Sequence, residues 1–199
     1  MNVHSKMEKT KDSPKREQIL AAALRLVSQH GFHGTSMSML ATEADCGAGT
    51  IYNYFSGKEE LLEALYRKLK LEFVTAIMAD DSQEQTLENR FMRMWQNIIH
   101  YFVAFPDKAA YFQQFHSSPY YNAESDVFTM EVLKPLLAVY AEAMQLGAIR
   151  SIPQPVLESL TIDLAISLAR RHSNGEILLD EDLILETGQA CWQSLKSCN

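Results

Sequence analysis

Along most of the chain apolar residues recur every three or four positions, a period that places them on one face of a helix and suits no strand. Ile19, Ala22, Ala23, Leu26 and His30 make a first stripe, and Leu62, Leu65, Tyr66, Leu69, Phe73 and Ile77 make a longer one. Phe91, Trp95, Ile98, Phe102 and Phe105 form a third, and Met130, Leu133, Leu137, Tyr140 and Met144 a fourth. No alternating apolar and polar run competes with them, so the chain reads as all-α, with about nine helices.

Helix ends are marked by residues that cannot continue a helix or that satisfy its free amides. Pro14 suits a first turn and Gly31 a left-handed end, which bounds a first helix beginning at Lys15. Thr35, Ser36 and Ser38 offer capping hydroxyls to a short helix from Met39 to Ala44. Asp45-Cys46-Gly47 interrupts the pattern, a second short helix runs from Ala48 to Tyr54, and Ser56-Gly57 breaks it again. Later, Pro106 and Gly147 end stripes, and Pro135 predicts a kink or break near Lys134. A proline-rich link, Ile152 to Pro155, precedes a helix from Val156 to His172, and a last helix runs from an Asp180 cap to about Lys196. The expected division is a mobile basic arm at 1–14, a domain of short helices at 15–57, and a larger helical domain at 58–199.

The net charge of −7 argues against a phosphate partner until its distribution is considered. Residues 1–70 hold ten Lys/Arg against eight Asp/Glu, a balance of +2, whereas the remaining 129 hold eight against seventeen, a balance of −9. Only the amino-terminal third can approach DNA without repulsion. The longest wholly apolar run near the start, Ile19 to Leu24, is too short for a signal-peptide core or a membrane span, which predicts a cytoplasmic protein without a membrane partner. Cys46, Cys191 and Cys198 are scattered and odd in number, as suits a reducing compartment.

Two short helices joined by a tight turn are the simplest device for laying a helix in the major groove, and Thr35 to Phe55 has that form. Any pair of short helices in a bundle shares the pattern, so residue choice must separate the readings. Ile51 and Phe55 fall on one buried side, while Thr50, Tyr52, Asn53 and Tyr54 lie more outward, and the small Ala48 and Gly49 permit close approach to a groove.

These residues resemble the tetracycline-repressor-like (TetR) family of bacterial regulators. The likeness rests on Thr35, Leu40-Ala41, Ala44, Gly49-Thr50-Ile51-Tyr52-Asn53-Tyr54-Phe55 and Lys58-Glu59-Glu60-Leu61, and covers roughly residues 15–66. It implies that Thr50, Tyr54 and Lys58 hold phosphates while Ala48, Gly49, Tyr52 and Asn53 line base edges. Thr35 and Ser36 join the set at the start of the preceding helix, where Thr35 serves equally as a cap or a phosphate donor. The chain departs from the family's pattern at Asp45-Cys46-Gly47, where Gly-Val-Ser or similar is usual. Glycine replaces a capping hydroxyl, and Asp45 weakens DNA binding unless it points inward. Cys46 is expected to pack in the turn in the valine's place rather than act as a redox sensor.

The resemblance further implies an effector pocket in the carboxy-terminal part, where aromatic residues are dense. Trp95, Ile98, Phe102, Tyr111, Phe112, Phe115, His116 and Tyr140 are its candidates, and a neutral or planar cationic apolar molecule its expected occupant. His100 and His116 lack a third ligand at useful spacing, so no metal is expected. The helix after Pro155 is apolar on more than one side, which suggests a homodimer built from Leu160, Leu164 and Leu168 with Ile184, Cys191 and Leu195 of the last helix. Together these features describe a dimeric repressor on a palindromic double-stranded operator, released by a small effector. Two alternatives stand beside it: an enzyme using the aromatic cavity, and a helical interaction module without specific DNA binding. Against the enzyme, the chain has no Gly-x-Ser-x-Gly, phosphate loop or dinucleotide fingerprint, and no cofactor is expected.

Overall fold

The computed structural model describes residues 13–197, so the expected basic arm, apart from Ser13 and Pro14, and Cys198 lie outside the described residues. Among them the chain is helical, its one β pairing being an isolated bridge between Ile149 and Lys196. The helices are α1 (Pro14–Gly34), α2 (Met37–Glu43), α3 (Ala48–Tyr52), α4 (Lys58–Ile77), α5 (Leu87–Ala104), α6 (Pro106–His116) and α7 (Ala123–Gln145). Next comes α8, a continuous run of Gln154–Glu158, a π-helical turn Ser159–Asp163 and Leu164–Ser173, and then α9 (Glu181–Leu195).

Local chemistry accounts for the ends. Ser13, Ser36, Thr86 and Asp180 each accept a backbone N–H from three residues on, the cap that small oxygen-bearing side chains provide. The regular turns of α1 stop where Gly31 takes φ +70°, a conformation that costs a side chain dearly. Pro135 produces no break: α7 runs through it, because the proline stands on the exposed side, where water can serve the carbonyl it leaves without a donor. The buried stripe of α7 is also rotated from the expected one. It runs through Ser125, Thr129, Leu133, Leu136, Tyr140 and Ala143, and leaves Met130 exposed.

Packing divides the chain into two compact units, and the division does not fall at residue 57. The first runs to Leu69 and adds Ala110–Asp126; the second holds Lys70–Ala109 and everything from Val127 on. In the first unit α1 buries Ile19, Leu20, Ala23 and Val27, and α4 buries Leu61, Leu62, Leu65 and Tyr66. The added segment docks through rings: Phe32 sits 5.4 Å from Tyr111, 5.8 Å from Phe115 and 5.7 Å from Tyr120, while Tyr66 stacks on Phe115 at 4.4 Å. The Tyr111 hydroxyl donates to the Leu62 carbonyl at 2.7 Å, which satisfies a polar atom that this burial would otherwise orphan.

In the second unit α8 and α9 both pack on α5. Trp95 donates its indole N–H to the Ile184 carbonyl at 3.0 Å, and a Cβ added at Gly188 would stand 2.7 Å from the Trp95 ring, so only glycine lets α9 approach this closely. Arg90 clamps the unit's interior, forking onto both oxygens of Asp81 at 2.8 and 2.9 Å and reaching Glu142 at 2.8 Å.

Candidate nucleic-acid interface

α3 and the turn after it, the expected DNA reader, are anchored from beneath by apolar side chains and present polar ones above. Ile51 and Phe55 are buried, and the Arg16 guanidinium lies 5.2 Å over the Phe55 ring. With that side fixed, Ala48, Gly49, Tyr52 and Asn53 are exposed and Thr50 and Tyr54 half-buried, with the Tyr52 ring 54% exposed. A large aromatic more exposed than buried on a five-residue helix adds little to the protein's own core. Gly49 makes the same point from the opposite direction. Its φ is not positive and a Cβ there would meet nothing within 4 Å, so no internal packing requires glycine at that position. α3 ends sooner than expected, at Tyr52, with Asn53 and Tyr54 forming a turn that returns Phe55 to the core.

Two expected roles at the start of α2 are redistributed. Thr35 is 1% exposed and donates its hydroxyl to the Gly31 carbonyl at 2.9 Å, so its proton is spent inside the fold and is not offered to a phosphate. Ser36, the next residue, caps α2 by accepting from the Met39 amide at 3.2 Å, and it remains exposed. Beyond α3, the Lys58 ammonium donates to the Phe32 carbonyl, which ties the start of α4 to the corner after α1; partial burial lowers its pKa from the usual lysine value. Glu60 accepts from the Ser56 amide at 2.7 Å, and that hydrogen bond holds its carboxyl below the usual range.

The turn that departs from the family's pattern is well formed. Asp45 takes φ +47°, its N–H donates to the Thr42 carbonyl at 3.1 Å, and the Cys46 N–H reaches back to the Ala41 carbonyl at 2.9 Å. This double bond is the usual left-handed helix ending, built here on aspartate rather than glycine. Asp45 is exposed, so it does not point inward, and Cys46 is half-buried. Lys15 donates to the Ala44 and Asp45 carbonyls at 3.2 and 3.1 Å, a brace from thirty residues upstream that no local spacing announces.

The other candidates belong to both units. Tyr111, Phe112 and Phe115 are buried and His116 exposed in the first unit, and Trp95, Ile98, Phe102 and Tyr140 are buried in the second. The segment carrying the first four is drawn to Phe32 and Tyr66. On α8, Leu160 and Leu164 are 39% and 41% exposed and Leu168 half-buried. Ile184, Cys191 and Leu195 are buried in the chain's own core, because α9 turns that side toward α5; Leu185 is a large apolar residue that the helix leaves exposed. His100 is exposed and lies 3.1 Å from Glu181.

Comparison with known proteins agrees with this geometry at both ends of the chain. Residues 19–65 match the model of bacterial regulatory proteins of the tetR family, and residues 86–196 match that of the tetracyclin repressor-like C-terminal domain. An uncharacterized HTH-type transcriptional regulator of Haemophilus influenzae is 26% identical over 188 residues, 90% of this chain and 95% of its own. A TetR-family regulator of Vibrio parahaemolyticus is 30% identical, with a TM-score of 0.80 over 92% of this chain and 99% of its own. Another, from Marinobacter aquaeolei, is 25% identical, with a TM-score of 0.87 over 91% and 95%. Among the described residues no helix is long and apolar enough to cross a membrane. The chain belongs to the TetR family and is a DNA-binding transcriptional regulator.

Proposed function

We propose that this regulator works in the cytoplasm as a homodimer, grips a palindromic double-stranded operator, and lets go when a small effector occupies its second unit. What supports the release step most is the Phe32 contact: the ring at the end of α1 is held by Tyr111, Phe115 and Tyr120, so any change in α6 acts on the corner from which α2 departs. α4, α6 and α7 each have turns in both units, which gives an effector three helices to act through. An effector shifts the equilibrium only by its difference in affinity for the two states, and DNA weakens effector binding by the same factor.

At the operator, Tyr52 and Asn53 read base edges, Ala48 and Gly49 let α3 approach closely, and Ser36, Thr50, Tyr54 and Lys58 position the reader on phosphates. The dimer face centres on Leu160 and Leu164 of α8, with Leu168 beside them and Leu185 supplied by α9. A palindromic site requires the two α3 helices of such a dimer to stand about 34–36 Å apart, one turn of DNA.

Selection of genomic fragments on the purified protein, followed by sequencing, tests this directly. Recovery of a palindrome supports the dimeric operator; recovery no better than random overturns it.

A further inference from the structure

The last turn of α5 and the first turn of α6 surround an ammonium group. The Lys108 nitrogen lies 4.1 Å from the centre of the Phe105 ring and 5.0 Å from that of Tyr101, and it donates to a Glu72 carboxylate oxygen at 2.8 Å. Two ring faces and a carboxylate around one positive charge are the means by which proteins recognise organic cations. The outer wall, Phe105, is 43% exposed, so the cage opens toward solvent. The inner wall, Tyr101, is buried against Phe73 at 5.5 Å. The Tyr101 hydroxyl has no hydrogen-bond partner among the described residues, and burial, reinforced by Glu72 and Asp107, raises its pKa well above the usual phenol value. A buried hydroxyl left without a partner is costly, so the cage keeps a polar group that the chain's own contacts do not use. Every one of these residues lies in the second unit.

We propose that this cage binds a protonated organic amine, which displaces Lys108 from between Tyr101 and Phe105 and pairs with Glu72. The proposal rests on the effector role given above to the second unit and supplies its ligand class. A tethered lysine competes as if present at about millimolar concentration, so the ligand must add apolar surface that the lysine stem lacks. An ammonium on an aromatic or long alkyl body meets that need. Lys108 stands in the first turn of the helix whose later turns hold Phe32, so its release loosens the start of α6.

Calorimetric titration of 2-phenylethylammonium, with propylbenzene as the uncharged counterpart, tests the cage in the full chain. Lys108→Met keeps the apolar stem and empties the cage, and should bind the amine at least about 10-fold more tightly than the native chain. Adding Glu72→Gln should reverse that gain, and propylbenzene should distinguish none of the variants. Unchanged melting temperatures establish that the variants fold. Equal amine affinity in the native chain and Lys108→Met, or no effect of Glu72→Gln, overturns the cage. Capture of genomic fragments in the presence of each probe separates the two levels: amine bound in the cage without release of DNA overturns the effector role alone, whereas release by propylbenzene with no preference for the amine overturns the cage alone.

Discussion

α3 and α8 both hold large side chains out in solvent, and they do it with opposite chemistry. α3 and the turn that ends it show a phenol and an amide beside a glycine that no internal contact requires; α8 shows Val156, Leu160 and Leu164, whose side chains can make no hydrogen bond. The first surface suits a partner with polar edges and phosphates, whose grip salt weakens. The second suits a partner as apolar as itself, which salt does not loosen. A DNA-binding surface and a self-association surface are thus separable by what salt and charge do to each.

The largest effect should come from putting charge on α8. Leu160→Asp with Leu164→Asp places two carboxylates where the proposed dimer buries them, and should raise the dimer dissociation constant at least about 100-fold. Sedimentation should show a monomer, while helical content and melting of the single chain hold, since both leucines are part-exposed within it. A dimer that survives would move the interface elsewhere.

On α3 the corresponding change is Tyr52→Ala. It should cost about 1–3 kcal/mol on the preferred operator and much less on unrelated DNA, narrowing the ratio between the two without altering stability. Binding assays on the selected palindrome and on scrambled duplex check this; a uniform loss on both would make Tyr52 a backbone contact.

The two surfaces were not equally legible. Gly49 to Phe55 could be read directly, because two large apolar residues four apart, Ile51 and Phe55, both go to the core whether the helix or a turn carries the second, and the exposed Tyr52 and Asn53 lie between them. Thr35 misled because its neighbour, Ser36, is chemically equivalent, and only the backbone decides which hydroxyl turns inward to Gly31. On α9, Ile184, Cys191 and Leu195 repeat with helical period whether they face α5 or another chain; the side that α5 takes is set by Gly188 meeting Trp95, ninety-three residues away in sequence. The brace from Lys15 and the docking of Ala110–Asp126 with the reader are long-range in the same way, and periodicity within one helix carries no information about them.

Lys58 tests the phosphate side of the comparison. Lys58→Ala should weaken binding to operator and to unrelated DNA alike, and lower the slope of log K against log salt by about 0.9, the value for one phosphate. Because the ammonium also holds the Phe32 carbonyl, a small loss of thermal stability should accompany it. An unchanged slope would leave Lys58 only that internal role.

The smallest effect belongs to Asp45, and it bears on why the reader's turn differs from the chain's other helix ends. α7 and α8 finish on the same double hydrogen bond as α2, with Gly147 at φ +69° and Gly175 at φ +73° where α2 has Asp45 at φ +47°. The aspartate therefore bears a backbone cost that the two glycines avoid, and Asp45→Gly should stabilise the first unit by up to about 1 kcal/mol, read as a rise in melting temperature. Asp45→Asn tolerates the same left-handed backbone and removes only the charge. If Asp45 stands close to phosphates, both variants should bind all DNA more tightly, by a similar factor that shrinks as salt rises. If Asp45→Gly changes stability and neither variant changes affinity, the aspartate lies outside the DNA surface, and the turn's departure from the family's pattern concerns only how α2 ends.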